Sequence, residues 1–220
     1  TNRHFRAMVR LISARTSLYT EMVAADELLD ATRRNSQHVD QFLGQSAIVP
    51  EGPSVLQLGG NDASQLYQAA KTYYEHSQTQ TNNKTCEYTS LNLNCGCPSP
   101  AVSGKKCFGA ALMKDPSHVA KLVRAINDGI DGSVPVTVKC RIGLWEDNDA
   151  TPFSRQAYDK QSEEQEYEDL RKFVDTIAGD GIVTSFQIHA RIAVLGGSFS
   201  PAENRKVPPL KYDYVRRLAR

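Results

Sequence analysis

The chain predicts an α/β fold, a parallel sheet with helices outside, and the spacing of its units suits a (β/α)8 TIM barrel. Three observations carry this. Short apolar runs alternate with longer segments of helical period. Those runs are short and largely apolar, as strands covered by helices are. Helix-start signals, Asp62 with Gln65 and Ser162 with Gln165, open two of the intervening segments. Five strands are expected, starting near Ser17, Val55, Ser90, Pro135 and Ser185. A complete barrel has eight and typically needs ~250 residues, so the expected barrel is incomplete.

In order, Phe5, Met8, Val9 and Ile12 fall at i, i+3, i+4 and i+7, an amphipathic helix with no strand before it. Ser17 to Met22 reads as a strand, Ala24 to Arg34 as a helix, and Val55 to Leu58 as a buried strand closed by Gly59 and Gly60. A helix is expected over Ala63 to Tyr74. The polar stretch from His76 to Tyr88 then reads as a surface loop, and its Asn83-Lys84-Thr85 sequon as a chance match. Asp115 caps a helix whose first turn holds Pro116 and whose apolar face is Val119, Leu122, Val123 and Ile126, with Gly129 at its end. Pro135 to Lys139 is a strand, and Ile142 to Gln161 a polar loop around Trp145. The helix after Ser162 buries Leu170, Phe173, Val174 and Ile177 and ends before Gly179; Ser185 to His189 is a strand, and the segment from Leu210 is helical.

Composition narrows the class. With 220 residues, 40% hydrophobic and 23% charged, the chain is long and apolar enough for one domain with a sizeable core. A net charge of +1 rules out bulk attraction to a polyanion, so nucleic-acid binding would need a local basic face. Five cysteines, an odd number, fit reduced thiols and a cytoplasmic setting, with an organelle left open. Cys95-Gly96-Cys97 lacks a second pair at ligand spacing, so no metal is expected. No apolar run approaches the ~20 residues of a membrane span.

The stretch Ser90 to Met113, SLNLNCGCPSPAVSGKKCFGAALM, holds the chemistry. Its Leu/Asn alternation has strand period and is ended by Gly96, Pro98 and Pro100, which leaves Cys97 in a loop just past a parallel strand. Open sheets and barrels place their sites there. From position alone, Cys97 is as much a reactive thiol as a small buried hydrophobe. Cys95 still belongs to the strand, and Cys107 and Cys140 read as buried apolar residues.

NLNCGCPSPAV…GKKCFGAALM closely resembles the cysteine-loop signature of tRNA-dihydrouridine synthases. Four further segments match that family in order: SLYTEMV (Ser17–Val23), VLQLGG (Val55–Gly60), PVTVKCRIG (Pro135–Gly143) and IHARIAVLGG…SPAENRKVPPLKYD (Ile188–Asp213). The SP-x-ENR-x-x-PPL pattern looks most like the bacterial-type branch that acts on the D-loop. The resemblance implies an FMN-binding barrel over residues 1–220, without the first strand, the last two βα units or the helical RNA-binding domain of the family. It implies reduction of uridine in tRNA by NADPH through FMN, with Cys97 as proton donor to the base. Gln57, Lys139 and His189 match flavin-contacting positions. Asn94 matches an asparagine that holds the target uracil, and Arg205 a tRNA-contacting arginine. The family's lysine three residues before that arginine is replaced by Ala202, and the cysteine loop and the segment Gly196–Phe199 each carry one extra residue. Arg141 and Arg191 follow strand ends, where each is either a phosphate ligand or a surface charge.

Two other functions stay open on the sequence. One is another FMN barrel such as a dihydroorotate dehydrogenase, which shares an Asn-x-x-Cys-Pro-type loop. The other is a non-catalytic RNA-binding remnant.

Overall fold

A computed structural model describes the chain except for residues 45–51, 80–87, 104–106 and 197–198. The first half runs α1 (Arg3–Ile12), β1 (Leu18–Ala24), α2 (Ala25–Arg34), α3 (Ser36–Leu43), β2 (Ser54–Gly59), α4 (Ala63–Thr79), β3 (Ser90–Cys95) and α5 (Pro100–Ser103). After a 3-10 turn at Gly109–Lys114 come α6 (Pro116–Gly129), β4 (Val136–Arg141), β5 (Leu144–Glu146), α7 (Arg155–Tyr158) and α8 (Glu163–Ala178). The chain then continues through β6 (Phe186–His189), β7 (Ala193–Leu195), a 3-10 turn at Glu203–Arg205, and α9 (Tyr212–Leu218). Five strands pair in the order β1-β2-β3-β4-β6, and β5 with β7 forms a separate two-stranded piece. The pairings of β1 with β2, β2 with β3 and β4 with β6 are parallel, as strands joined by helical crossovers must be.

By compactness the chain divides into two units, residues 1–93 with 122–137 and residues 94–121 with 138–220. In the first unit every residue of β2 is buried, and Leu56, Leu58, Leu91 and Leu93 have no exposed surface. Each such leucine contributes roughly 1.5–3 kcal/mol. In the second unit, Ile142, Tyr158, Tyr167, Leu170, Ile192, Val194 and Tyr214 form the core that joins the strand ends to α7, α8 and α9. Lys211 Nζ donates to Glu166 Oε2 (2.7 Å) and to the Tyr214 hydroxyl (3.2 Å), and Tyr158 donates to Glu166 Oε1. These bonds satisfy the ionised groups that pack against this core.

The five expected strands of the main sheet all form, but several expectations need correction. Helix α4 continues to Thr79, so His76 to Thr79 are helical rather than loop. The rest of that expected loop, with Cys86 and the sequon, lies outside the described residues apart from Tyr88, which is buried with its hydroxyl donating to Leu43 O at 3.1 Å. The polar stretch after Ile142 contains β5 and α7, too short to show a period. Helix α3 was not expected at all. The apolar stripe of α1 is not buried: Phe5 is 46%, Met8 49% and Ile12 80% exposed, and the buried residue of that helix is Arg6. Asp62, Asp115 and Ser162 accept from the backbone N–H groups of Gln65, His118 and Gln165, as capping residues do. Gln165 does not complete its box, because its amide turns to Asp169 Oδ1 instead.

Candidate active site

Strand β3 alternates Leu91 and Leu93 with Asn92 and Asn94, and the two asparagines differ sharply in environment. Asn92 has no exposed surface. Gln57 Nε2 donates to its Oδ1 (2.9 Å), and its Nδ2 donates to Thr137 Oγ1 (2.9 Å). Thr20 Oγ1 accepts from Gln57 N at 3.0 Å, and Thr137 Oγ1 donates to Leu91 O at 3.3 Å. A polar ladder thus crosses β1, β2, β3 and β4 within the first unit, each member at most 8% exposed. Strict alternation usually means a wet polar face, so no local signal marks this face as sealed. Gln57 is a member of the ladder, the fourth of six residues in β2 rather than its end.

Asn94, two residues on, is half-buried and belongs to the second unit. Its Oδ1 accepts from the backbone N–H groups of Gly96 and Cys97, both at 3.0 Å. This Asx-type turn converts the strand end into the cysteine loop. On the other side of Cys97, its carbonyl accepts from Ala110 N at 2.9 Å. That close approach depends on Gly109, whose φ is +65°: a Cβ there would lie 2.7 Å from Cys97 O and 2.8 Å from Val102 Cγ1. The Cys97 main chain is therefore fixed from both sides, leaving side-chain rotation as the motion of its half-buried thiol.

The remaining cysteines separate clearly. Cys95 and Cys140 are fully buried, and burial pushes both thiols up, Cys140 to about 12. Cys107 is exposed at φ +48°, contrary to the buried role expected of it. It follows residues 104–106, which lie outside the described residues together with part of the signature loop.

Lys139 and His189 sit on the paired strands β4 and β6 and line one cavity of about 260 Å³ with Gln187, Arg191, Leu210 and Tyr212. Lys139 precedes the end of β4 by two residues, while His189 is the last residue of β6. Burial, then the Arg141 cation, lowers the Lys139 pKa, and a Cys97 thiolate would oppose this. His189 is depressed to about 4, first by burial and then by Arg141, Lys139, Arg191 and Arg205. It is a neutral imidazole at physiological pH. Exposed Arg205 bears on this group electrostatically, and so does Arg141. Ala202 and Glu203 are exposed too.

The segment before Arg205 has a role the sequence reading missed. Asn204 is fully buried, donates to Val194 O (3.0 Å) and accepts from Val194 N (2.8 Å). Ser200 and Glu203 cap each other reciprocally, the Ser-x-x-Glu signature of a capping box, legible but overlooked. Arg141, which was left between phosphate ligand and surface charge, is neither: it is 4% exposed and donates to three backbone carbonyls. Arg191 donates to Pro208 O at 2.8 Å.

A larger cavity of about 570 Å³ runs along α8, lined by Glu166, Asp169 and Lys172 among others. None of the candidate residues lines it, and Glu166 is engaged by Tyr158, Tyr214 and Lys211. Among the described residues, no cluster of three or more His, Cys, Asp or Glu could hold a metal, and no helix is long and apolar enough to cross a membrane.

The family described as dihydrouridine synthase (Dus) matches residues 1–220. The tRNA-dihydrouridine(20/20a) synthase of Xylella fastidiosa (strain Temecula1) is 38% identical over 220 residues, covering 100% of this chain and 54% of that protein. Enzymes of the same name from Salmonella typhimurium and Escherichia coli O6:H1 are each 39% identical, with the same coverage. The chain spans about half the length of these curated relatives. An α/β fold whose parallel strands alternate with helices agrees with that match, and the chain belongs to the dihydrouridine synthase family.

Proposed function

We propose that this chain is the catalytic-barrel part of a flavin-dependent enzyme that reduces uridine to 5,6-dihydrouridine in tRNA. The observation that carries the reading is a half-buried cysteine, fixed at the end of β3, within electrostatic reach of two cations, Lys139 and Arg141. Family membership supports this over a dihydroorotate dehydrogenase, and the relatives' names support a target at positions 20 and 20a.

The donor set fits a flavin ring. Lys139 is a partly desolvated cation, and His189 beside it is neutral, able to donate or accept without adding charge. These two would hold FMN at the edge where the reduced ring carries negative charge. FMN, when bound and reduced by NADPH, would supply the hydride for one carbon of the uracil C5–C6 double bond. Cys97 gives its proton to the other carbon, which completes the saturation of that bond. Asn94 would meet the uracil through its amide while its Oδ1 holds the loop. Arg205, exposed beside this site, would meet the tRNA backbone. The target base must leave its stack to reach the cavity. Gln57 lies in the ladder of the other unit, so the reading rests on Lys139 and His189 rather than on it.

The test uses a chain extended to the relatives' full length, incubated with FMN, NADPH and an unmodified tRNA transcript. Mass spectrometry of the nucleosides should show uridine gaining H₂ at the D-loop positions, with orotate and dihydroorotate left unchanged. Turnover of the free pyrimidine acids and none of tRNA would overturn the proposal. A colourless protein that binds tRNA without reducing it would point instead to a non-catalytic RNA-binding protein.

A further inference from the structure

Arg141 is the last residue of β4, and it is nearly sealed from solvent. Its Nε donates to Gly96 O at 3.1 Å, and its Nη1 to Ile192 O and Asn204 O, both at 3.0 Å. These carbonyls belong to three separate segments. Gly96 precedes Cys97, Ile192 lies three residues beyond His189, and Asn204 precedes Arg205. One guanidinium thus ties together the segments that carry the proposed proton donor, a cavity-lining histidine and the exposed RNA-facing arginine. We propose that Arg141 is a positioning residue, which sets the Cys97 backbone in register with the His189 and Arg205 segments.

The bond set favours this over a general packing role. A buried cation is a costly way to hold loops together, since an apolar side chain would pack there without desolvating a charge. A planar fork, however, can address several carbonyls at once in fixed directions, which a lysine ammonium cannot reproduce. The targets are main-chain atoms, so the constraint acts on where the loops lie. Cys97 is held by Asn94 on its N–H and by Ala110 on its carbonyl, and Arg141 fixes the residue before it. The charge reaches further: Arg141 is the foremost of the cations that keep His189 neutral, after burial itself.

The inference rests on the proposed reaction, and the experiment keeps the two apart. Arg141→Met and Arg141→Lys are made in the full-length chain, and three quantities are measured: flavin reduction by NADPH, flavin reoxidation by tRNA, and the titration of His189 by NMR. Misplacing a reacting group by an ångström can cost ~10²-fold. Arg141→Met should therefore slow reoxidation by about that factor, change NADPH reduction much less, and raise the His189 pKa. Arg141→Lys keeps the charge and loses the fork, so His189 should titrate as in wild type while reoxidation stays slow. Normal reoxidation in Arg141→Met, or full rescue by Arg141→Lys, would overturn the proposal. An unmoved His189 in Arg141→Met would remove the electrostatic half of it. Loss of fold in both variants would assign Arg141 to the core and also overturn it. A wild-type protein that never reduces tRNA would instead count against the reaction itself.

Discussion

In the first unit the polar side chains on the strands find one another. Thr20, Gln57, Asn92 and Thr137 pass hydrogen bonds from strand to strand and are almost wholly shielded from water. In the second, Lys139 and Arg141 stand on β4 as two cations and His189 on β6 as a neutral ring, beside a cavity and a half-buried thiol. The first arrangement closes on itself: each buried amide or hydroxyl has a protein partner, and an added ligand would have to break one. The second holds cations at the cost of mutual repulsion, which a bound anion would relieve. Polar residues at similar positions in parallel strands thus serve folding in one place and, on the function proposed above, chemistry in the other.

The largest expected effect is on the thiol. Cys97→Ala, in a chain of the relatives' full length, should leave NADPH-driven flavin reduction intact and slow tRNA-driven reoxidation by ~10²–10⁴-fold, the usual worth of a general acid. Cys95→Ala should alter neither half-reaction much, since that thiol is sealed in β3. Rapid-mixing absorbance of the flavin separates the two steps, and the reverse pattern would exchange the roles of the two cysteines. Gly109→Ala comes next. Its Cβ would strike the Cys97 carbonyl, so it should lower reoxidation together with stability, by about 1–3 kcal/mol for forcing extra atoms into a packed site. A urea midpoint and a reoxidation rate on the same sample check this; unchanged values would mean that the loop is not pinned.

How much of this was legible in the sequence follows from the same contrast. The strands of the main sheet and the Cys97 loop could be read because short apolar runs and Gly-Pro punctuation are local signals. The ladder could not, because Asn92 and Thr137 are 45 residues apart and only pairing of β3 with β4 brings them together. Arg141 was missed for the same reason: its partners lie 45, 51 and 63 residues away. In α1 the period correctly marks an amphipathic helix, but a stripe of correct period does not say whether anything covers it.

The smallest effect is the pH dependence of His189. Its folded-state pKa of about 4 lies below the ordinary 6.5, so the unfolded chain binds the proton more readily. The stability tied to the neutral ring is fully present above about pH 6.5 and is lost as pH falls through about 4. Urea midpoints measured across that window should fall less steeply in His189→Gln than in wild type, and identical slopes would place His189 in an ordinary solvated setting.

The contrast between the two regions is tested most directly by measuring flavin content and unfolding free energy on Asn92→Ala and Lys139→Ala, again at the relatives' full length. Asn92→Ala strands the partners of a buried amide and should lose about 1–3 kcal/mol, while its folded fraction keeps its flavin. Lys139→Ala removes a cation that burial and Arg141 already disfavour, so it should keep its stability and lose flavin or the rate of its reduction. The opposite pairing, flavin lost from a stable Asn92→Ala and retained by an unstable Lys139→Ala, would contradict the division between a folding ladder and a catalytic cluster.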